Sequence, residues 1–103
     1  MRTLSFDVDK QIIRKNENCD FSGLVPGTVG YLNAEFMFSK EWTNCKKVAV
    51  FRNTKGEYFV PLIDNSCDIP KEATTYKRFS VTVVGAKENY QITTNRIEVR
   101  QNA

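Results

Sequence analysis

Apolar residues recur at every second position over most of this chain, a period that is typical of β-strands and not of helices. Leu4, Phe6 and Val8 are separated by single polar residues, and the segment 31–38 places four apolar side chains on one face. Further segments predicted as strands span residues 46–52, 57–63, 67–69, 79–84 and 90–99. Turn-forming residues separate these segments, so the chain is predicted to fold almost entirely as strands.

About seven strands with frequent turns predict an all-β fold, an immunoglobulin-like antiparallel β-sandwich. A chain of 103 residues is long enough for one core and leaves little room for a second. Residues 1–103 are therefore predicted to form a single domain. The segment 15–30 is predicted to be a long loop. Asn53–Gly56 is predicted to be a hairpin turn with Gly56 in the left-handed conformation. Pro61 predicts that its strand lies at a sheet edge or contains a bulge.

The composition excludes several kinds of chemistry. Histidine is absent, which removes the commonest general base and metal ligand. Cys19, Cys45 and Cys67 are widely separated and form no C-x-x-C pair, so we predict no metal site and no cofactor. An odd number of cysteines favours reduced thiols in a protein that folds in a cytoplasm.

Six carboxylates could in principle supply the pair of acidic residues that a glycosidase uses. Nearly all of them lie at predicted turns or on polar strand faces, where solvated carboxylates are usual: Glu35, Glu41, Glu57, Asp64, Asp68 and Glu72. No base, metal or nucleophile accompanies them, and no Gly-rich loop precedes a helix. The sequence therefore predicts that the protein is not an enzyme.

Positive and negative charges are interspersed, with 15 Lys and Arg against 12 Asp and Glu. The densest basic pairs, Lys46–Lys47 and Lys77–Arg78, read as solvated strand ends and not as the concentrated patch of a nucleic-acid binder. The amino terminus has no apolar run typical of a signal peptide, and no stretch is long enough for a membrane helix. A soluble protein that binds no membrane is expected, and the charge pattern does not favour nucleic acid as its main partner.

Aromatic residues give the candidates for partner contacts. Phe6, Phe36, Phe38 and Phe79 fall on predicted core faces. Tyrosine and methionine on other faces are enriched at protein interfaces, and a tryptophan after a strand either caps the core or anchors a partner. The candidate contact residues are Tyr31, Met37, Trp42, Tyr58, Tyr76 and Tyr90.

Five segments resemble the small β-sandwich modules of bacteriophage virions, in particular the amino-terminal domains of tail-baseplate proteins from phages of Gram-positive bacteria. They occur in order across most of the chain and cover less than half of it: Tyr31–Trp42 (YLNAEFMFSKEW), Lys47–Asn53 (KVAVFRN), Cys67–Pro70 (CDIP), Phe79–Gly85 (FSVTVVG) and Ile92–Val99 (ITTNRIEV).

The resemblance implies a structural or accessory protein of the virion, assembled in the host bacterial cytoplasm. Its partners would be other virion proteins, in a homo-oligomer or another symmetric assembly. Many baseplate proteins continue into a shaft or a receptor-binding region, whereas this chain ends at Ala103. Decoration of the capsid, or closure of a tail or head joint, is therefore an equally open role.

Two alternatives remain open at this point. A small β-barrel that binds single-stranded nucleic acid would stack bases on exposed aromatics and hold phosphates with Lys46–Lys47 and Lys77–Arg78. A carbohydrate-binding sandwich would stack a sugar on Trp42 or a tyrosine. The nucleic-acid hypothesis requires that the basic pairs and the exposed tyrosines share one face.

Overall fold

The computed structural model describes residues 1–102 and contains nine strands in two sheets. The strands are β1 (Arg2–Asp9), β2 (Ile12–Lys15), β3 (Leu32–Phe38), β4 (Lys46–Asn53), β5 (Gly56–Pro61), β6 (Ser66–Asp68), β7 (Arg78–Lys87), β8 (Tyr90–Thr93) and β9 (Ile97–Arg100). Two single-turn 3-10 helices lie at Lys40–Trp42 and Ala73–Thr75. The predicted all-β class is confirmed, with nine strands in place of about seven.

The four-stranded sheet has the order β2-β1-β3-β6, and its β1 and β3 are parallel. The prediction of an antiparallel sandwich is wrong at this pair. After the β1–β2 hairpin, residues 16–31 form a crossover loop that returns the chain to the start of β1, where the Arg2 N–H donates to the Tyr31 carbonyl at 2.8 Å. Strand β3 therefore starts beside the start of β1 and runs in the same direction, as a crossover of this length allows.

The five-stranded sheet has the order β5-β4-β7, and both β8 and β9 pair with the far edge of β7. The sequence predicts one continuous last strand over 90–99, but the structure interrupts it. Thr94 causes the interruption, because its side-chain hydroxyl accepts the Val83 N–H at 3.0 Å in place of a backbone carbonyl. The edge of the sheet is thereby divided into two short strands.

Inward side chains of both sheets form one hydrophobic core, which makes the architecture a β-sandwich. A row of aromatic rings runs through it, with successive centroids 5.1 to 5.9 Å apart: Phe21, Phe6, Phe36, Phe38 and Trp42. The prediction that Phe6, Phe36 and Phe79 lie in the core is confirmed, and Phe38 is half-buried against it.

The β4–β5 hairpin confirms one prediction and corrects another. Strand β5 is at the edge of its sheet, which is one of the two outcomes that Pro61 predicts, but it ends at Pro61 and does not continue to residue 63. Gly56, however, does not have a positive φ angle. The Asn53 side chain closes the turn in another way, because its Oδ1 accepts the Lys55 N–H at 2.9 Å.

Candidate interaction surfaces

Trp42 lies fully buried at one end of the core. Its ring packs on Phe38 with centroids 5.1 Å apart, and its indole N–H donates to the Lys10 carbonyl at 2.8 Å. The prediction that Trp42 contacts a partner is therefore wrong, since the side chain does not reach the surface. Of the two roles considered, it has the one of capping the core.

Tyr58 and Tyr76 are half-buried and also contribute to the structure of the sandwich. Tyr58 lies on the inward side of β5 and packs on the core. The Tyr76 carbonyl accepts a hydrogen bond from the buried Gln101 side chain at 2.7 Å. Both residues take part in contacts within the sandwich, and neither stands out as a partner contact.

The other three candidates are exposed but lie far apart. Met37 is 51% exposed on the outer side of the four-stranded sheet. Tyr31 precedes β3 at one end of the molecule. Tyr90 starts β8 at the other end, and its hydroxyl donates to the Glu41 carbonyl at 3.0 Å. The structure does not bring the six predicted contact residues into one surface.

The two basic pairs are also separated. Lys46 on β4 pairs with Ala86, whereas Arg78 starts β7 eight residues earlier, about 26 Å away along the strand. The Lys47 side chain is directed toward Phe38, with its Nζ 4.9 Å from the ring centroid. Lys46 and Arg78 thus lie on the outer face of the same sheet but near its opposite ends, and the pairs and the exposed tyrosines form no compact common surface.

A different set of residues forms the first candidate surface, the outer face of the five-stranded sheet. An apolar strip crosses this face over β5, β4 and β7. Phe59 and Pro61 are exposed, Val48 and Val84 are half-buried, and Val50 is only 2% exposed. Phe59 is 65% exposed although it lies in a regular strand beside Val50. Burying such a side chain stabilises by about 1.5 to 3 kcal/mol, so the exposed end of the strip, Phe59 and Pro61, is a candidate protein contact site.

Beside the strip lies a group of arginines, here called the arginine cluster: Arg52, Arg78, Arg96 and Arg100. Arg52, Arg78 and Arg96 line an open depression of about 320 Å³ at Ser80. Within residues 1–102, Arg78 and Arg96 form no ion pair. Their guanidinium groups are therefore available to an anionic partner group.

Two glutamates neutralise part of this cluster. The Arg52 Nε donates to a Glu57 carboxylate oxygen at 2.6 Å, and the Arg100 Nε donates to Glu98 at 2.9 Å. The hydrogen bond from Arg100 lowers the pKa of the Glu98 carboxyl, and the positive charges of Arg100 and Arg78 act in the same direction. Glu98 is thus ionised at neutral pH, and the cluster keeps a net positive charge.

The outer face of the four-stranded sheet, here called the acidic face, has the opposite character. Its outward positions carry four carboxylates and one arginine: Asp7, Asp9, Glu35, Asp68 and Arg14. Met37 lies beside Asp7 on this face, and Ile12, 43% exposed, lies beside Asp9. The acidic face therefore combines carboxylates with two exposed apolar side chains.

The three cysteines are unpaired. Burial raises the pKa of the Cys67 thiol to about 12, and the neighbouring Asp68 charge adds to the effect. Cys67 is therefore a protonated, unreactive thiol at neutral pH. Among residues 1–102 there is no group of side chains placed to hold a metal ion, and no helix is long and apolar enough to cross a membrane.

Sequence reasoning missed both Phe59 and the arginine cluster. In β5, Tyr58, Phe59 and Val60 are all large and apolar, so alternation does not show which of them faces outward. The four arginines are spread over β4, β7, β9 and the segment before β9, so no short window of sequence contains them all. One signal in the sequence was available, namely Pro61. It lies two residues after Phe59, on the same face of the strand, and proline in a strand indicates an exposed edge.

Comparison of this chain with protein-family models, with curated proteins and with solved structures finds no match.

Proposed function

We propose that this protein is a structural or accessory component of a bacteriophage virion and acts by docking onto other virion proteins. The observation that carries the proposal is Phe59, whose ring is 65% exposed on the outer face of edge strand β5, with Arg52 two residues along β4 from its ladder partner Val50. Exposed aromatics and arginines are the residue types most enriched in the central contacts of protein interfaces.

The virion part of the proposal is supported by the resemblance to phage β-sandwich modules. Four of the five resembling segments form or overlap β3, β4, β7 and the β8–β9 edge, which together with β1 supply most of the core side chains. The resemblance thus concerns the scaffold, which we propose to be an immunoglobulin-like module. The docking surface would then be specific to this chain, as is usual when one scaffold serves many functions.

The same face also favours a second candidate function, binding of single-stranded nucleic acid. Phe59 and the arginine cluster share this face, which suits base stacking and phosphate contacts. Protein docking accounts better for the strip, since Phe59 is accompanied there by aliphatic side chains and two of the four arginines already pair with glutamates. Binding of an oligonucleotide that weakens steeply between low and high salt would favour the nucleic-acid function.

Incorporation into particles tests the proposed function. Phage lacking the gene would be complemented with wild-type protein, with Phe59→Ser, or with the control Val29→Ser, and the particles separated on a density gradient. Val29 is 69% exposed in the crossover loop, away from both sheet faces, so the control makes a similar polar change elsewhere.

We expect the wild-type protein and the Val29→Ser variant to band with particles. The Phe59→Ser variant should remain unbound, because it loses the central apolar contact while its fold is unchanged by circular dichroism. Absence of the wild-type protein from particles, or equal incorporation of the Phe59→Ser variant, would overturn the proposal.

A further inference from the structure

The two outer faces of the sandwich carry equal and opposite formal charge. The acidic face holds four carboxylates and one arginine. The outer face of the five-stranded sheet holds Lys46 and the arginine cluster, five basic side chains in all, against Glu57 and Glu98. The protein is therefore polarised across its thickness, although its net charge is only +3.

We propose that the partner on the outer face of the five-stranded sheet is a second copy of this chain, which presents its acidic face. The inference rests on the proposed function, since it takes this face as the docking surface, and it adds the identity of the occupant. Copies would stack with the acidic face of one against the arginine cluster of the next.

The apolar residues of the two faces fit this arrangement. On the acidic face, Met37 lies next to Asp7, with Glu35 two residues before it on β3. On the other face, Phe59 lies on the strip beside the arginine cluster. Stacking brings an exposed methionine against an exposed phenylalanine, a favourable pairing of sulfur with an aromatic ring, inside a border of opposite charges.

The charge pattern also determines which faces meet. Contact between two copies of the same face would place arginines against arginines or carboxylates against carboxylates, which is strongly disfavoured. Contact between unlike faces is heterologous, and it produces a closed ring or an open stack rather than a two-fold dimer. Both products are symmetric assemblies of the kind that the resemblance implies.

Association through strand edges is disfavoured, so the outer faces of the two sheets are the surfaces through which copies can associate. Edge strand β5 ends in Pro61, which cannot donate a ladder hydrogen bond. Strand β6 has three residues, β2 has four, and the β8–β9 edge is interrupted. Short, interrupted and proline-containing edges are the features that prevent strand addition between proteins.

The size of the sheet is sufficient for a specific but modest interface. Four strand widths and the length of β7 give a face of about 600 Å², at the lower end of what each partner buries in specific complexes. We therefore expect an association that depends on protein concentration and weakens with salt, because its charges are exposed to solvent.

Two charge reversals test the proposal by a mixing experiment. Glu35→Arg alters the centre of the acidic face, and Arg78→Glu alters the arginine cluster. Both side chains are exposed, so we expect each variant to fold. Lys71→Glu and Glu72→Arg make matching charge changes at exposed positions before the second 3-10 helix, outside both sheets.

Molar mass would be followed by sedimentation velocity and light scattering over a range of concentrations. We expect the wild-type protein and both controls to form assemblies larger than a dimer, and each charge reversal to weaken self-association by about tenfold or more. When the two reversed variants are mixed, the intact acidic face of one can bind the intact arginine cluster of the other. The expected product is a one-to-one heterodimer that does not grow further.

Two outcomes would overturn the inference: a wild-type protein that stays monomeric at low salt and high concentration, or reversed variants that do not bind each other. The proposed function is judged separately, by incorporation of the Phe59→Ser variant into particles. A monomeric protein whose incorporation still depends on Phe59 would retain the proposed function with a different virion protein as its partner. Heterodimers combined with normal incorporation of the Phe59→Ser variant would reject the proposed function alone.

Discussion

At the scale of single residues, Gly85 and Trp42 meet where β7 passes over the end of the core. A β-carbon at Gly85 would lie 2.7 Å from Cε3 of the Trp42 ring and 3.2 Å from the β-carbon of Cys45. The ring has no free space to move into, since it is fully buried and hydrogen-bonded to the Lys10 carbonyl. Glycine is required at this position by packing, because its φ angle is not positive.

Gly85→Ala should therefore destabilise the protein by about 1 to 3 kcal/mol, the usual result of overpacking a closed core. Gly56→Ala is a matched control in the same sheet, because its β-carbon would meet only the Tyr58 hydroxyl, at an ordinary 3.8 Å. Thermal unfolding followed by circular dichroism measures both. If the two variants unfold at the same temperature, the Trp42 ring is not held rigidly in place at the end of the core.

At the scale of elements, β3 shows when the alternation of apolar and polar residues is sufficient to predict which side chains face the core. Its odd and even positions differ sharply in character, so the prediction placed Leu32, Ala34 and Phe36 inward and Met37 outward, and all four are confirmed. The Phe36 ring lies between two others, with centroids 5.4 Å from Phe6 and 5.9 Å from Phe38. Faces can be read from sequence where one side of a strand is polar.

Phe36→Ala should lower the free energy of unfolding by about 3 to 5 kcal/mol, because it leaves a cavity inside the aromatic row. Met37→Ala, one residue further along the strand, should change it by less than about 0.5 kcal/mol, because that side chain faces solvent. Chemical denaturation of both variants gives the comparison. Equal effects would mean that the assignment of the two faces of β3 is incorrect.

Other elements were not predictable by the same reasoning. The parallel pairing of β1 and β3 depends on where the crossover loop returns the chain, and no local pattern encodes that return. The break between β8 and β9 depends on one hydroxyl, that of Thr94, which replaces a backbone carbonyl as the acceptor for Val83. In β5 both parities are apolar, so the exposure of Phe59 follows only from the position of its strand at the edge.

At the scale of the whole molecule, the candidate surfaces arise from topology and not from local sequence. Arg52 and Arg78 lie on one face because β4 and β7 are neighbours. The acidic face combines Asp7 and Asp9 with Glu35 because β1 is placed beside β3, and β6 adds Asp68 on the other side of β3. The interspersed charges of the sequence are separated into two faces only when the sheets form. The basic pairs chosen from sequence therefore contribute only Lys46 and Arg78 to this surface, because its other basic residues join it through strand pairing.

The crossover loop is held to the sandwich by the carboxy-terminal residues. The Asn102 N–H donates to the Leu24 carbonyl at 2.6 Å, and the Gly27 N–H donates to the Thr74 carbonyl at 2.8 Å. The buried Gln101 side chain donates to the same Thr74 carbonyl at 3.1 Å. Three segments far apart in sequence therefore meet at one point, which we call the carboxy-terminal clamp.

Gln101→Ala should loosen this clamp, because it removes buried hydrogen bonds to the Thr74 and Tyr76 carbonyls, at a cost of about 1 to 3 kcal/mol. Gln91→Ala is the matched control, since Gln91 is exposed on β8. We expect the Gly27 amide to exchange its hydrogen faster, and proteases to cut the crossover loop sooner, in the Gln101→Ala variant alone. The remainder of the sandwich should keep its protection, since the loop can open locally without unfolding the sheets. Unchanged exchange at Gly27 would show that the loop is held by its own contacts, such as the packing of Leu24 in the core, and not by the clamp.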